Sequence, residues 1–198
     1  IPDTVEIDPV LTYDVIVNTI PPVKRNNVEI IAGQHNTIQI QSPQGKIRIT
    51  QPGYTEYKDG ITVLVKKPND GVILTSFALP GSEKLLVGEY DIECTTLPRT
   101  VFKNVTINQS QTKYLEIAQP GVVNFIATAK GIGSIYQIHE NGAQTWIFNL
   151  DQEILRNTVA IQPGKYKVVF RSENAKGSKF TTINEFEIKP GSSFNIRL

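Results

Sequence analysis

The amino-acid sequence predicts an all-β fold, made of tandem antiparallel β-sandwich domains with a partial repeat at the N-terminus. Three observations support this prediction: the chain repeats itself, apolar and polar residues alternate with a period of two, and turn motifs separate the short apolar segments. A fixed long period indicates an array of similar units. Arrays of this kind usually present surfaces to partners rather than a catalytic pocket.

The repeat begins at Tyr13-Asp14 and recurs without a gap at Tyr90-Asp91, and a third, looser copy begins at Tyr166. Ten identical pairs follow in the same order in the first two copies: Tyr13/Tyr90, Asp14/Asp91, Thr19/Thr96, Pro21/Pro98, Asn27/Asn104, Val28/Val105, Ile30/Ile107, Gln34/Gln111, Ile40/Ile117 and Pro43/Pro120. So ordered a series is not expected by chance.

The Pro-Gly-type turns at 43–45 and 120–121 divide the chain into a first unit (1–43), a second unit (44–119) and a third unit (120–198). The second and third units each begin and end with a predicted strand, whereas the first matches only the back half of a unit, with strands at 13–19, 28–31 and 37–41. We therefore expect the first unit not to be a self-sufficient domain. Because residue 1 is Ile and the chain has no Met, we also expect a processed protein or a fragment of a longer one, with a further domain upstream.

Within a unit the predicted order is an opening strand, a hairpin, a Gly-x-Tyr strand, a loop and a closing hairpin. The hairpins at 62–77 and 135–150 turn at Asn69-Asp70-Gly71 and Glu140-Asn141-Gly142, residues that tolerate the positive φ angles of tight turns. So many short strands in a unit of this length can bury a core only as two facing sheets.

The alternation also predicts which residues form the core. Tyr13, Tyr90 and Tyr166 are expected at equivalent buried positions, and Cys94 is expected to be a buried, reduced thiol. Trp146 is predicted to share the face of Phe148 and Leu150, at the core or its rim.

A family resemblance follows from the third unit. Its segment Gln162-Pro163-Gly164-Lys165-Tyr166-Lys167-Val168, the turn Lys189-Pro190-Gly191 and the closing apolar strand resemble prealbumin-like sandwiches of the carboxypeptidase-regulatory and Cna-B type. The pair Thr19-Ile20-Pro21-Pro22 and Thr96-Leu97-Pro98-Arg99, each after a Tyr-Asp strand, is similar to the β-rich tails that follow von Willebrand factor A domains in some bacterial envelope proteins. The resemblance implies an Ig-like or prealbumin-like sandwich in an extracytoplasmic protein of the periplasm or cell surface.

Composition and motifs argue against several other classes. The net charge of +1 argues against nucleic acid as a partner, and no apolar stretch is long enough for membrane insertion. His35 and His139 have no metal-site spacing, and no triad or phosphate-binding motif is present, so we predict no enzyme activity, catalytic residue, metal or cofactor.

The strongest candidate binding residues are Tyr54 and Tyr57, in a loop whose counterpart at 127–133 has no aromatic residue. Aromatic residues on loops often contact partners, so the pair is predicted to stack on a glycan or a protein. The alternative is that both tyrosines cover the joint between units. Two functions remain open: a structural or adhesive region of a bacterial cell-envelope protein, and an accessory carbohydrate-binding region of a secreted enzyme.

Overall fold

The computed structural model describes residues 7–53, 57, 59–176 and 181–198. This part of the chain forms strands joined by turns and contains no helix, which confirms the all-β prediction. The strands are β1 (Thr12–Val17), β2 (Val23–Glu29), β3 (Gln44–Thr50), β4 (Thr62–Lys66), β5 (Ile73–Ala78), β6 (Gly81–Leu86), β7 (Gly88–Cys94), β8 (Thr100–Ile107), β9 (Thr112–Glu116), β10 (Gly121–Ile126), β11 (Gly131–Ile138), β12 (Gln144–Asn149), β13 (Arg156–Ile161), β14 (Gly164–Ser172), β15 (Thr181–Ile188) and β16 (Ser193–Arg197).

The second and third units have the same topology. In the second unit a three-stranded sheet has the order β6-β3-β9 and a four-stranded sheet has the order β5-β4-β7-β8. The third unit repeats this with β13-β10-β16 and β12-β11-β14-β15. The pairs β3–β9 and β10–β16 are parallel, and the other strand pairs of both units are antiparallel.

Each unit buries its own apolar core between the two sheets. The core of the second unit includes Ile47, Val63 and Ile92, and the core of the third includes Phe125, Ile135 and Val168. Tyr90 and Tyr166 are buried at equivalent positions, as predicted, whereas Tyr13 is half-buried. Cys94 is also fully buried, as expected for a core position.

The hairpins form where the turn residues predict them, at β4–β5 and β11–β12. The predicted closing hairpin is wrong: β8 pairs with β7 in one sheet, while β9 crosses over and pairs in parallel with β3 in the other. The crossover lets the last strand of the unit cover the core beside the opening strand. A further strand, β6 or β13, precedes the Gly-x-Tyr strand, in a stretch where no motif predicts one.

The first unit forms only the two-stranded sheet β1-β2 within residues 7–43. The strand predicted at 37–41 is not formed. In the complete units the closing strand pairs with an opening strand, β3 or β10, and residues 7–43 contain no such strand to serve as its partner.

Candidate functional site

The first and second units each contact the next unit through a loop, and the two loops are built alike. The loop after β1 contains Thr19-Ile20-Pro21, and the loop after β7 contains Thr96-Leu97-Pro98. In both loops the buried Thr donates a hydrogen bond of 2.7 Å from Oγ1 to the carbonyl of the Pro two residues later. The middle residue of each loop contacts the next unit: Ile20 packs against the core of the second unit, and Leu97 packs against the core of the third.

At each of these contacts between units, here called joints, one backbone hydrogen bond crosses to the next unit and a second bond continues it to the core. The amide of Leu86 donates to the carbonyl of Ile20 at 2.8 Å, and the amide of Gln162 donates to the carbonyl of Leu97 at 2.7 Å. The core tyrosine of the receiving unit then donates its hydroxyl to the carbonyl of the same residue, at 2.9 Å from Tyr90 to Leu86 and at 2.8 Å from Tyr166 to Gln162. Each core is thereby linked through a short hydrogen-bonded chain to the preceding unit.

Sequence reasoning missed these joints, although one signal was present. Thr19/Thr96 and Pro21/Pro98 are identical pairs within the repeat. Their partners Leu86 and Gln162 have different side chains, because the contact is made by the backbone. The partner residues therefore cannot be recognised from the sequence.

The predicted binding residue Tyr57 lies at the second joint. Its ring packs against the core of the second unit, and its hydroxyl accepts a hydrogen bond of 2.8 Å from Nε2 of Gln162 in the third unit. Burial raises the pKa of the Tyr57 hydroxyl, partly offset by the hydrogen bonds from the Gln162 side chain and the Leu97 backbone. Tyr54 lies outside the described residues, and ligand binding by Tyr54 and Tyr57 stays a prediction.

A second aromatic group lies on the outer face of the four-stranded sheet of the third unit. Trp146 is 55% exposed, so its assignment to the core or its rim is wrong. The physical reason is a β-bulge between Ile135 and Tyr136 in the β11–β12 pairing: Phe148 is opposite Ile135, but Trp146 is opposite Tyr136. The extra residue in β12 moves the Trp146 side chain to the face opposite the core.

The remaining candidates for a chemical role are the two histidines and the single cysteine. His35 and His139 are exposed, and His139 Nε2 lies 2.8 Å from Thr145 Oγ1. Burial, with a smaller contribution from Glu93, raises the pKa of the Cys94 thiol from 9.0 to about 11, so the thiol is protonated at neutral pH. Within the described part of the chain, no group of three or more His, Cys, Asp or Glu residues is placed to hold a metal ion. The same part contains no helix long and apolar enough to cross a membrane.

Comparison with known proteins yields distant structural likenesses alone. No family model and no curated protein matches the sequence. Among solved structures, the TIE protein of Bacillus anthracis is similar at 17% identity over 79% of this chain and 33% of its own, with a TM-score of 0.31. The minor pilin GBS52 of Streptococcus agalactiae is similar at 10% identity over 78% of this chain and 94% of its own, with a TM-score of 0.36.

A leucine-rich repeat protein from Bacteroides thetaiotaomicron is similar at 11% identity over 79% of this chain and 26% of its own, with a TM-score of 0.26. The chain thus spans about a third of the TIE protein and about a quarter of the leucine-rich repeat protein. Likenesses this low do not assign a function.

Proposed function

We propose that this chain is a non-catalytic structural or adhesive region of a bacterial cell-envelope protein, in which tandem sandwiches hold an upstream domain at a distance and present surfaces to partners. The observation that supports the proposal best is the repeated joint. A spacer must keep its units in fixed positions relative to one another, and therefore the junctions between the units must be stiff.

Contacts at both joints support this proposal in the same way. An apolar residue, Ile20 or Leu97, packs against the next core, and its carbonyl accepts a backbone amide from the receiving unit. Interfaces between domains of one chain are usually polar and permit relative motion. A junction that combines apolar packing with backbone hydrogen bonds restricts such motion, and the second joint adds the Tyr57–Gln162 bond.

The envelope location and the upstream domain rest on the sequence resemblance to prealbumin-like sandwiches and to tails that follow von Willebrand factor A domains. The alternative function, an accessory carbohydrate-binding region, has Tyr54 and Tyr57 as its predicted contacts. Because the Tyr57 hydroxyl is already engaged across the joint, this side chain is less available to a ligand than a free loop tyrosine.

Distance measurements between the second and third units test the proposal. Spin labels are attached at Lys84→Cys and Asn195→Cys, both exposed positions, in a Cys94→Val background. We expect a single narrow distance distribution by double electron–electron resonance, and a clearly broader one after Leu97→Ala, which removes most of the side chain from the joint.

The control is Val101→Ala, which truncates an exposed apolar side chain on the neighbouring strand β8 and is expected to leave the distribution unchanged. A broad distribution in the labelled protein with Leu97 intact would contradict the stiff-spacer proposal. An unchanged distribution after Leu97→Ala would show that the Leu97 contact does not hold the joint.

A further inference from the structure

Trp146 is held in a defined orientation although more than half of its surface is exposed. Its indole Nε1 donates a hydrogen bond of 2.8 Å to Oδ1 of Asn149. The same oxygen accepts a hydrogen bond of 2.8 Å from Oγ of Ser134 on the adjacent strand β11. The indole N–H is therefore satisfied within the protein, and its aromatic surface is left for contact with a ligand.

A second aromatic side chain stands beside it. Tyr136 on β11 is directly opposite Trp146 on β12, so the two Cβ atoms are separated by about 5 Å on the same face of the sheet. Lys167 on β14 is opposite Tyr136, with its Nζ 5.6 Å from the centre of the tyrosine ring, and it also donates a hydrogen bond to Oε1 of Gln144. The two aromatic side chains thus have hydroxyl, amide and ammonium groups beside them.

The fold does not require these residues. In the second unit the same bulge occurs between Val65 and Lys66, where Lys66 is opposite Ile73 and Asp91. Trp146, Tyr136 and Lys167 occupy the places that Ile73, Lys66 and Asp91 hold there. The sandwich accommodates an aliphatic residue and a salt-bridging lysine at these positions, so the aromatic pair is not explained by packing.

The chemistry of the group favours one class of ligand. A pyranose ring has an apolar face of C–H groups that packs on an indole or phenol ring, and its hydroxyls point outward in the plane of the sugar, where amides, hydroxyls and ammonium groups bind them. A protein contact centred on a tryptophan is instead completed by an apolar pocket in which water is excluded. Here Asn149 accepts the indole N–H and the Lys167 ammonium lies over the tyrosine ring, so each aromatic ring has a polar neighbour.

We propose that Trp146 and Tyr136 form a stacking platform for a pyranose residue of a polysaccharide, with Gln144, Ser134, Asn149 and Lys167 as the surrounding polar contacts. The open face of a sheet has no wall at either end, which suits an internal residue of a glycan chain better than a terminal one. The platform is separate from Tyr54 and Tyr57, and it stands independently of the spacer role, because the joints do not involve it.

The sole tryptophan of the chain makes the test direct. The full chain is titrated with cellohexaose, chitohexaose, xylohexaose, mannohexaose and galactohexaose while its intrinsic fluorescence is recorded, and is applied to an array of bacterial and host glycans. We expect at least one pyranose oligosaccharide to shift the emission of Trp146 to shorter wavelength. We also expect at least one glycan on the array to retain the protein.

Variants then assign the binding to the platform. Trp146→Ala is expected to abolish retention, Tyr136→Ala to weaken it about tenfold or more, and Trp146→Phe to keep part of it. Ile73→Ala, at the equivalent exposed position of the second unit, is the matched control and should bind as the unsubstituted protein does. Unchanged thermal melting shows that each variant is folded.

Three outcomes overturn the proposal: retention of no glycan, equal retention after Trp146→Ala, or capture of a protein partner through Trp146 without any glycan. None of these outcomes bears on the distance measurements between units.

Discussion

At the scale of single residues, the two buried tyrosines show how one side chain serves both the core and the joint. The rings of Tyr90 and Tyr166 fill the cores, and a buried hydroxyl requires a hydrogen-bond partner. Each hydroxyl finds it in a carbonyl four residues earlier, at Leu86 or Gln162, which also receives the preceding unit. A phenylalanine ring would pack equally well, but the carbonyl of Leu86 or Gln162 would lose the hydrogen bond from the tyrosine hydroxyl.

Gln162 takes part in three hydrogen bonds at the second joint, and Tyr57→Phe tests the one that its side chain donates. The substitution leaves Nε2 of the buried Gln162 without its hydroxyl partner, which costs about 1–3 kcal/mol in the free energy of unfolding. Tyr114→Phe is the control, because the Tyr114 side chain is 68% exposed, and its expected change is within about 0.5 kcal/mol.

Chemical denaturation of both variants measures the difference. Equal stabilities of the two would mean that the Tyr57–Gln162 bond contributes nothing measurable to the joint. A glycan that bound Tyr57→Phe but not Tyr57→Ala would indicate stacking on the ring at this position, since only the phenylalanine variant retains a ring.

At the scale of strands, a bulge distinguishes the first two copies of the repeat from the third. Asn27 and Asn104 have positive φ angles of 56° and 53°, and each amide donates a hydrogen bond of 3.1 Å to the aspartate on the neighbouring strand, Asp14 or Asp91. The pairing shifts register at the same points. Both asparagines lie within strands, Asn27 in β2 and Asn104 in β8. The third copy has Lys167 where Asp91 stands, and β14 pairs with β15 without a shift.

The bulge predicts opposite outcomes for two substitutions of Asn104. Asn104→Val places a β-branched residue in the left-handed region and should destabilise the protein by about 1–3 kcal/mol, whereas Asn104→Gly should cost less than about 1 kcal/mol. Urea denaturation with an unchanged m-value measures both.

Asn195→Val, an exposed strand position on β16, serves as the control for the change from amide to β-branched side chain and should be nearly neutral. If Asn104→Val were no more harmful than Asn195→Val, the positive φ angle at Asn104 would not be the reason for the asparagine.

At the scale of the whole molecule, the three units differ in how completely their inward-facing side chains are buried. The residues of β1 that face inward, Tyr13, Val15 and Val17, are only half-buried, whereas their counterparts Ile92 and Cys94 are fully buried. The first unit also exposes several large apolar side chains: Ile7, Val10, Leu11, Ile16 and Ile31. Exposed apolar surface and an unpaired strand edge favour association with other segments or molecules.

Truncation tests the independence of the units. We expect a protein of residues 44–198 to melt cooperatively with most of its stability, because both sandwiches and their cores remain, while a peptide of residues 1–43 should be unfolded as a monomer. Circular dichroism and thermal melting measure both. Removal of an equal length from the other end, 156–198, is the contrasting case: it deletes β13 to β16, so the third unit should unfold. Cooperative melting of the 1–43 peptide as a monomer would show that the first unit is a domain in its own right.

The sequence by itself determined the all-β class, the positions of the two hairpins and the burial of Tyr90, Tyr166 and Cys94. These features follow from signals that act over a few residues, namely alternation with a period of two and turn residues that tolerate positive φ. Only the tertiary structure decided the crossover of β9 to the second sheet, the outward position of Trp146 and the joints through Ile20 and Leu97. Each of these depends on the register between segments far apart in the chain, where a single bulge reverses the face of a side chain or a backbone carbonyl finds its donor in another unit.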